Sequence, residues 1–424
     1  MRTEALAAIA VLTLTLLLTL ALAASPPSLA SRTVAYLPYP QGLQSLPPYD
    51  IYGIPVSPLP PYGILLLFLG SSGSYLAMFN ISNRDYKVIA HFGPNIVPYP
   101  SLSAPMLCLS NLSNRTGIVY VAEVSPEGSI SEEPLVNGSY SCIGLAEADG
   151  VIVASLLHIG TAGNEVVVAR QVGRSLEVMK SVSLPRWSTF DDFFPSPSGL
   201  LYGLYAKYLF TSTSNVYTIY PAYVSPSSGS LSVLNRFNMT LTLPSNEFLL
   251  LHSSMVSSSL IIYGGVYVTT SSGHQGIGYS AQPVLIYFNT STYLLLNASD
   301  LMPPMTAVVG AYWSPWGILI SDAQVALLEG PGGVIEGVSF SSPQLFLAPW
   351  GGGLVNETEL APGQLVLGGL EVKGSYYLVA VNMTGRKVAV IEVYKKGLSW
   401  AYVIAPVVVV VIAAASLAVL LRRR

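Results

Sequence analysis

Four separate stretches of this chain repeat one plan, a strand, a polar turn and a second strand, and that recurrence limits the fold more than any other feature. Residues 75–91 read YLAMFNISNRDYKVIAH, 166–179 VVVARQVGRSLEVM, 284–296 VLIYFNTSTYLLL and 377–394 YLVAVNMTGRKVAVIEVY. β-Branched and aromatic residues flanking short polar turns are the signature of antiparallel hairpins. Each hairpin follows a further apolar run, at 63–70, 151–159, 260–269 and 364–372. Similar runs at 117–124, 200–210 and 317–328 bring the number to seven, about fifty residues apart on average. No amphipathic helix of useful length interrupts residues 63–394. The expectation is an all-β body built from repeated four-stranded units.

A four-stranded unit at this period resembles the blades of seven-bladed β-propellers with kelch-like or YVTN-like repeats, in which each blade buries its faces against its neighbours. The likeness is architectural, because the Gly-Gly of kelch blades and the Trp-Asp of WD repeats are missing. Tandem β-sandwiches are the competing architecture. The expected organisation is a signal segment at 1–24, a Pro/Tyr-rich extended segment at 25–62, a propeller ectodomain at 63–396, a transmembrane helix at 398–421 and a cytoplasmic arginine tail at 422–424. Ten prolines in 25–62 exclude helix there, and its tyrosines are expected to pack along the body.

Both ends are hydrophobic. Residues 5–24 behind Arg2 read as a secretory signal, with an uncleaved anchor as the alternative. Residues 398–421 carry no charge and are long enough to span a bilayer. Trp400 and Tyr402 suit the outer interface, and Arg422, Arg423 and Arg424 place the C-terminus inside. The chain is therefore expected to be a single-pass cell-membrane protein with its body extracellular and the lipid bilayer as its first partner.

In that compartment Cys108 and Cys142 are expected to form a disulfide, two reduced thiols being the alternative. Nine of fifteen asparagines head Asn-x-Ser/Thr sequons, far above the chance level: Asn80, Asn111, Asn114, Asn137, Asn238, Asn289, Asn297, Asn356 and Asn382. In propeller geometry six of them were placed on one face, leaving the opposite face bare. Charged residues are only 10% of the chain and the net charge is -3, which leaves no basic surface for nucleic acid. Low charge, abundant tyrosine and dense sequons resemble surface proteins of thermophilic or acidophilic archaea.

The segment PRWSTFDDFF at 185–194 is the main candidate site on the bare face, with Arg186, Trp187, Asp191, Asp192 and Phe194 in one loop; His274 lies in a second long loop. Aromatic groups beside carboxylates suit a sugar or a cation, against a plainer role in plugging the hub and capping a turn. His91, His158 and His252 read as packed or solvated strand residues. No Gly-x-Ser-x-Gly elbow, zinc motif or Cys/His cluster is present, so no catalytic residue, metal or cofactor is expected. The function expected is non-enzymatic binding of a surface protein or glycan, or surface-layer structure. The alternative is an extracytoplasmic glycan-active enzyme on the same fold, which a carboxylate reaching a histidine at the hub would favour.

Overall fold

The computed structural model describes residues 29–44, 56–70, 73–112, 117–159, 163–173, 175–272, 275–329, 335–350, 353–382 and 387–396. They form an all-β propeller. Its second strands are continuous apolar runs: Gly63–Phe68 is buried at every position, because a middle strand meets a neighbouring sheet on both faces. Outer strands such as Ser175–Ser183 are mostly exposed and correspondingly polar. This difference across the sheet, rather than along one strand, is what the apolar runs in the sequence record.

Five discrete blades of four or five strands are present. With the innermost strand named first, the first blade is Val56–Leu59, Gly63–Phe68, Ser74–Asn80 and Asp85–Phe92. The second is Ile96–Pro100, Met106–Asn111, Ile118–Val124 and Ile130–Asn137, and the third is Tyr140–Ala148, Val151–His158, Asn164–Val172 and Ser175–Ser183. The fourth runs Ser188–Pro195, Leu201–Phe210 and Ser214–Ser225, with Ser230–Val233 and Met239–Pro244 sharing the outer position. The last blade is Gln364–Val372, Ser375–Asn382 and Lys387–Lys395, completed by Leu29–Pro38 from the other end of the chain. Leu37, Val379 and Val390 then pack on Ile64, Leu66 and Phe79 of the first blade and close the ring.

Seven separate blades were expected, and the hydrogen bonding corrects that count. Residues 247–297 and 307–356 each keep a four-stranded order, but together they make one eight-stranded sheet. The cause is length. Strands Ser259–Ser272, Gln275–Asn289, Gly317–Glu329 and Ile335–Pro349 run to thirteen to fifteen residues and project as two long hairpins. Gly276–Tyr279 of one hairpin then pairs edge to edge with Ala326–Glu329 of the other.

The segment 25–62 also differs from expectation. It supplies the strand that closes the ring, one helical turn at Gln41–Gln44 where the prolines argued against helix, and the innermost strand of the first blade. Its Tyr39 packs edge-on against Phe68 at 5.5 Å. The hairpin at 377–394 consequently joins second and third strands, not third and outer ones.

Antiparallel order puts the turns between first and second and between third and outer strands on one face, and the remaining connections on the other. Lys373, Tyr62 and Ser82 demonstrate it: these turn residues of two blades meet, with the Lys373 ammonium 3.6 Å from the Tyr62 ring centroid and 3.2 Å from the Ser82 hydroxyl. Asn80 and Asn289 lie at turns of this face, whereas Asn111 and Asn382 end second strands and belong to the opposite one. The bare face expected from the sequons is therefore not bare. Asn80, Asn289, Asn297 and Asn356 each accept a backbone N–H two residues on, at 2.9 to 3.0 Å, which is turn chemistry that leaves the amide nitrogen uninvolved. Asn114 lies outside the described residues.

Cys108, on the second strand of the second blade and not on an inner strand, is bonded to Cys142 on the innermost strand of the third, with Cα atoms 6.2 Å apart. The bond staples two blades across a 34-residue separation. In the chain-entropy account such a loop stabilises by roughly 3–4 kcal/mol. Replacing both cysteines by alanine is expected to lower the urea midpoint and to raise the m-value, because the unfolded chain without the cross-link exposes more surface, and a loss of stability below about 1 kcal/mol would refute the staple.

Among the described residues no helix is long and apolar enough to cross a membrane. The hydrophobic segments at 1–24 and 398–421 and the tail at 422–424 lie outside the described residues.

Candidate functional site

The innermost strand Ser188–Pro195 carries the acidic pair into the hub. Its pairing with Leu201–Phe210 is interrupted between Asp191 and Phe194 by a bulge, and Asp192 takes a positive φ of 54°. A regular strand would send neighbouring carboxylates to opposite faces; the bulge re-aims Asp192 toward the axis. There its Oδ1 accepts the Tyr99 hydroxyl at 2.7 Å and its Oδ2 accepts the Ser253 N–H at 2.9 Å. The Ser253 hydroxyl donates to the Asp192 carbonyl at 3.1 Å, and His252 Nδ1 stands 3.4 Å from Oδ2. Tyr99, Asp192 and the His252–Ser253 pair come from three different sheets, so one carboxylate ties three innermost strands together.

His252 projects into an axial cavity of about 560 Å³. Its side chain is 66% exposed and lines the cavity beside Ser254 and Tyr263. The walls are apolar and aromatic, with Phe194, Tyr263, Tyr267, Tyr312, Trp313 and Phe340 among them. Tyrosines aside, His252 is the one ionisable side chain in the lining among the described residues. The Ser254 hydroxyl beside it is committed to the Ala311 carbonyl at 2.9 Å. Gly264, at φ +152° and in contact with the Leu250 carbonyl, shapes the wall where no side chain would fit.

Burial governs the titration of this region. It raises the Asp191 carboxyl to about 8, helped by the charge of Asp192 and partly offset by Thr189 and His252. For His252, burial pulls the pKa down, but the hydrogen bond and charge of Asp192, with Asp191 behind it, outweigh burial and leave it raised. Tyr99 is pushed well above the phenol range by burial and by Asp192. Asp322, fully buried beneath the long hairpins, is raised to about 7 by burial. Its two oxygens have no hydrogen-bond partner among the described residues, the nearby Thr306 hydroxyl donating instead to Pro303 at 2.7 Å.

The structure separates what the sequence placed in one loop. Arg186 and Trp187 stay on the rim, the guanidinium 5.3 Å from the indole centroid and the indole edge-on to Phe210 at 5.9 Å. Trp187 is exposed and has a φ of 60°. Asp191 and Asp192 enter the hub, and Phe194 forms cavity wall. His274 lies outside the described residues. His252, read from the sequence as a packed or solvated strand residue, and Tyr99, which the sequence did not single out, are the hub groups that reading missed. The only local signal was a histidine in the apolar run EFLLLHSSMV, and nothing in that run says which strand is innermost. Among the described residues no cluster of His, Cys, Asp and Glu could hold a metal.

The chemistry available is one oriented imidazole, backed by a carboxylate, inside an apolar cavity. It can donate or accept a hydrogen bond, or exchange a proton, with a polar group on a molecule held by the walls.

No family model matches the chain, and no curated protein matches it. Among solved structures it is similar to the β-propeller domain of the Trilobed protease from Pyrococcus furiosus, at 10% identity and a TM-score of 0.46 over 80% of this chain and 93% of that one. It is also similar to the polysaccharide lyase Uly1, at 10% identity and a TM-score of 0.47 over 87% of this chain and 99% of that one. The Neurospora crassa Pan2 WD40 domain gives 12% identity and a TM-score of 0.43 over 87% of this chain and 96% of that one.

Proposed function

We propose that this chain is a membrane-anchored, glycosylated surface protein whose propeller binds a ligand non-enzymatically in its axial cavity, with 398–421 as the anchor and the body outside. The observation that carries the binding function is the cavity itself: about 560 Å³ of aromatic and aliphatic wall in which, among the described residues and tyrosines aside, His252 is the one ionisable side chain. Walls of that kind hold an apolar body, and the imidazole selects a molecule that brings a hydrogen-bonding group to it. A small amphipathic molecule or an apolar side chain of a surface partner meets both demands.

The test is direct. Anilinonaphthalene sulfonate, an apolar dye with one anionic group, is expected to bind the folded ectodomain at one saturable site. Val309→Trp, which puts an indole into the cavity, should weaken binding at that site, and His252→Ala should weaken it about tenfold, the worth of one hydrogen bond. Undiminished binding in a folded Val309→Trp protein would remove the reading.

A second reading, acid–base chemistry on the bound molecule, is favoured by the 3.4 Å approach of Asp192 to His252. A carboxylate that orients an imidazole is how a general base is held. The cavity lining supplies no other group beyond tyrosine hydroxyls to serve as its partner acid, so binding ranks first.

A further inference from the structure

We infer that the propeller lies face-down on the bilayer, docked through the face that carries the turns at Tyr62, Tyr293, Trp350 and Lys373. The inference rests on the reading of 398–421 as a membrane anchor. The last strand, Lys387–Lys395, ends on this face, and only Lys396 and Gly397 separate it from the hydrophobic segment. Two residues reach about 7 Å at full extension, which holds the face against the headgroups. The other end of the chain agrees. Leu29 pairs directly with Lys395, so the N-terminal hydrophobic segment, cleaved or retained, joins the body at the same point of the same face.

Docking requires that Asn80 and Asn289, sequon residues at turns of this same face, carry no glycan, so the glycans of the proposed surface protein lie on its other sequons. The remaining surface chemistry of the face suits a lipid interface. Trp350 is 54% exposed and its indole N–H reaches the Pro315 carbonyl at 3.3 Å, which fixes the ring beside the neighbouring turn. Tyr293, Leu294, Tyr62 and Tyr394 are exposed as well. The Lys373 ammonium sits over the Tyr62 ring. Rings with one apolar and one polar end, accompanied by lysine, favour the headgroup level of a bilayer. Exposed aromatics also occur on the opposite face, Trp187 and Phe210 among them, so exposure alone does not choose between the faces. The two-residue tether does. Docked in this way, the long paired hairpins and the Trp187 rim point away from the membrane.

The test uses the full chain in proteoliposomes of phosphatidylcholine and phosphatidylglycerol, with a fluorophore on Leu294→Cys or on Ser212→Cys, a turn residue of the opposite face. Nitroxide-headgroup lipid is expected to quench the Leu294→Cys label by at least half and to leave the Ser212→Cys label unchanged. Equal quenching at both, quenching at Ser212→Cys alone, or none at either in a chain that resists alkaline carbonate would overturn the docking and leave the anchor standing. Release of the chain by carbonate would overturn the anchor reading, and the docking with it.

Discussion

Lowering the pH from about 8 to about 4 is expected to stabilise the folded ectodomain, raising its melting temperature by several degrees. Two carboxyls drive this. Asp191 and Asp322 are raised to about 8 and about 7 by burial, whereas a carboxyl in an unfolded chain titrates near pH 4. Between those values the folded chain holds protons that the unfolded chain has released. Stability therefore falls as pH rises through the window and is flat below about pH 4, where both states are protonated. His252 acts in the same direction: its folded pKa is raised, so its contribution is present below the unfolded value and lost as pH climbs through the folded one. The ceiling is about 1.4 kcal/mol per pH unit per group, or roughly 4 kcal/mol for Asp322 alone. Thermal unfolding followed by near-UV circular dichroism at pH 4, 6 and 8 measures the slope. Asp322→Asn, which keeps the shape and removes the charge, should reduce the slope between pH 4 and pH 7 and leave the share that Asp191 contributes. A melting temperature that drops on acidification in the native chain would show that paired carboxylates hold the blades after all. With 22 carboxylates in 424 residues, and with Arg32–Glu392 the one Arg or Lys ion pair among the described residues, there is little of that kind to lose.

The second large effect is expected at Asp192. Replacing it by alanine leaves the Tyr99 hydroxyl and the Ser253 N–H unpaired at the buried hub. Each orphaned buried group costs about 1–3 kcal/mol, and alanine at a positive φ adds about 1 kcal/mol more. The expected loss is roughly 3–7 kcal/mol. Asp192→Asn keeps one acceptor oxygen and tolerates the backbone conformation, so it should lose less than half as much. A double-mutant cycle with Tyr99→Phe isolates the hydrogen bond: the two losses should couple by about 1–3 kcal/mol. Additive losses would mean that the Tyr99–Asp192 hydrogen bond contributes nothing and that Asp192 stabilises through Ser253 and its backbone. The same variants bear on binding, because freeing His252 from Asp192 should weaken dye binding in the cavity even where the fold survives.

The all-β class and the hairpins were legible in the chain because they are local. A second strand packed between two sheets must be apolar throughout, as in Gly63–Phe68, and an outer strand must be polar, as in Ser175–Ser183. Turn chemistry at Asn80 and Asn289 is equally local, since the side chain bonds its own backbone two residues on. The hydrophobic end segments follow from length and composition. Everything that depends on distant partners needed the tertiary structure. Arg32 meets Glu392 across 360 residues, so no local pattern could reveal that Leu29–Pro38 completes the last blade or that the final hairpin is shifted by one strand. The fusion of two units into eight strands came from the pairing of Gly276–Tyr279 with Ala326–Glu329, a contact between two hairpin edges that neither hairpin announces. The hub was hidden for the same reason. Asp192 faces the axis only because a bulge turns it there, and His252 and Tyr99 become its partners only because three innermost strands converge. Periodicity along a chain encodes which side of a strand is buried; it carries no information about which buried side lies on the axis, and that is where the polar groups of this protein meet.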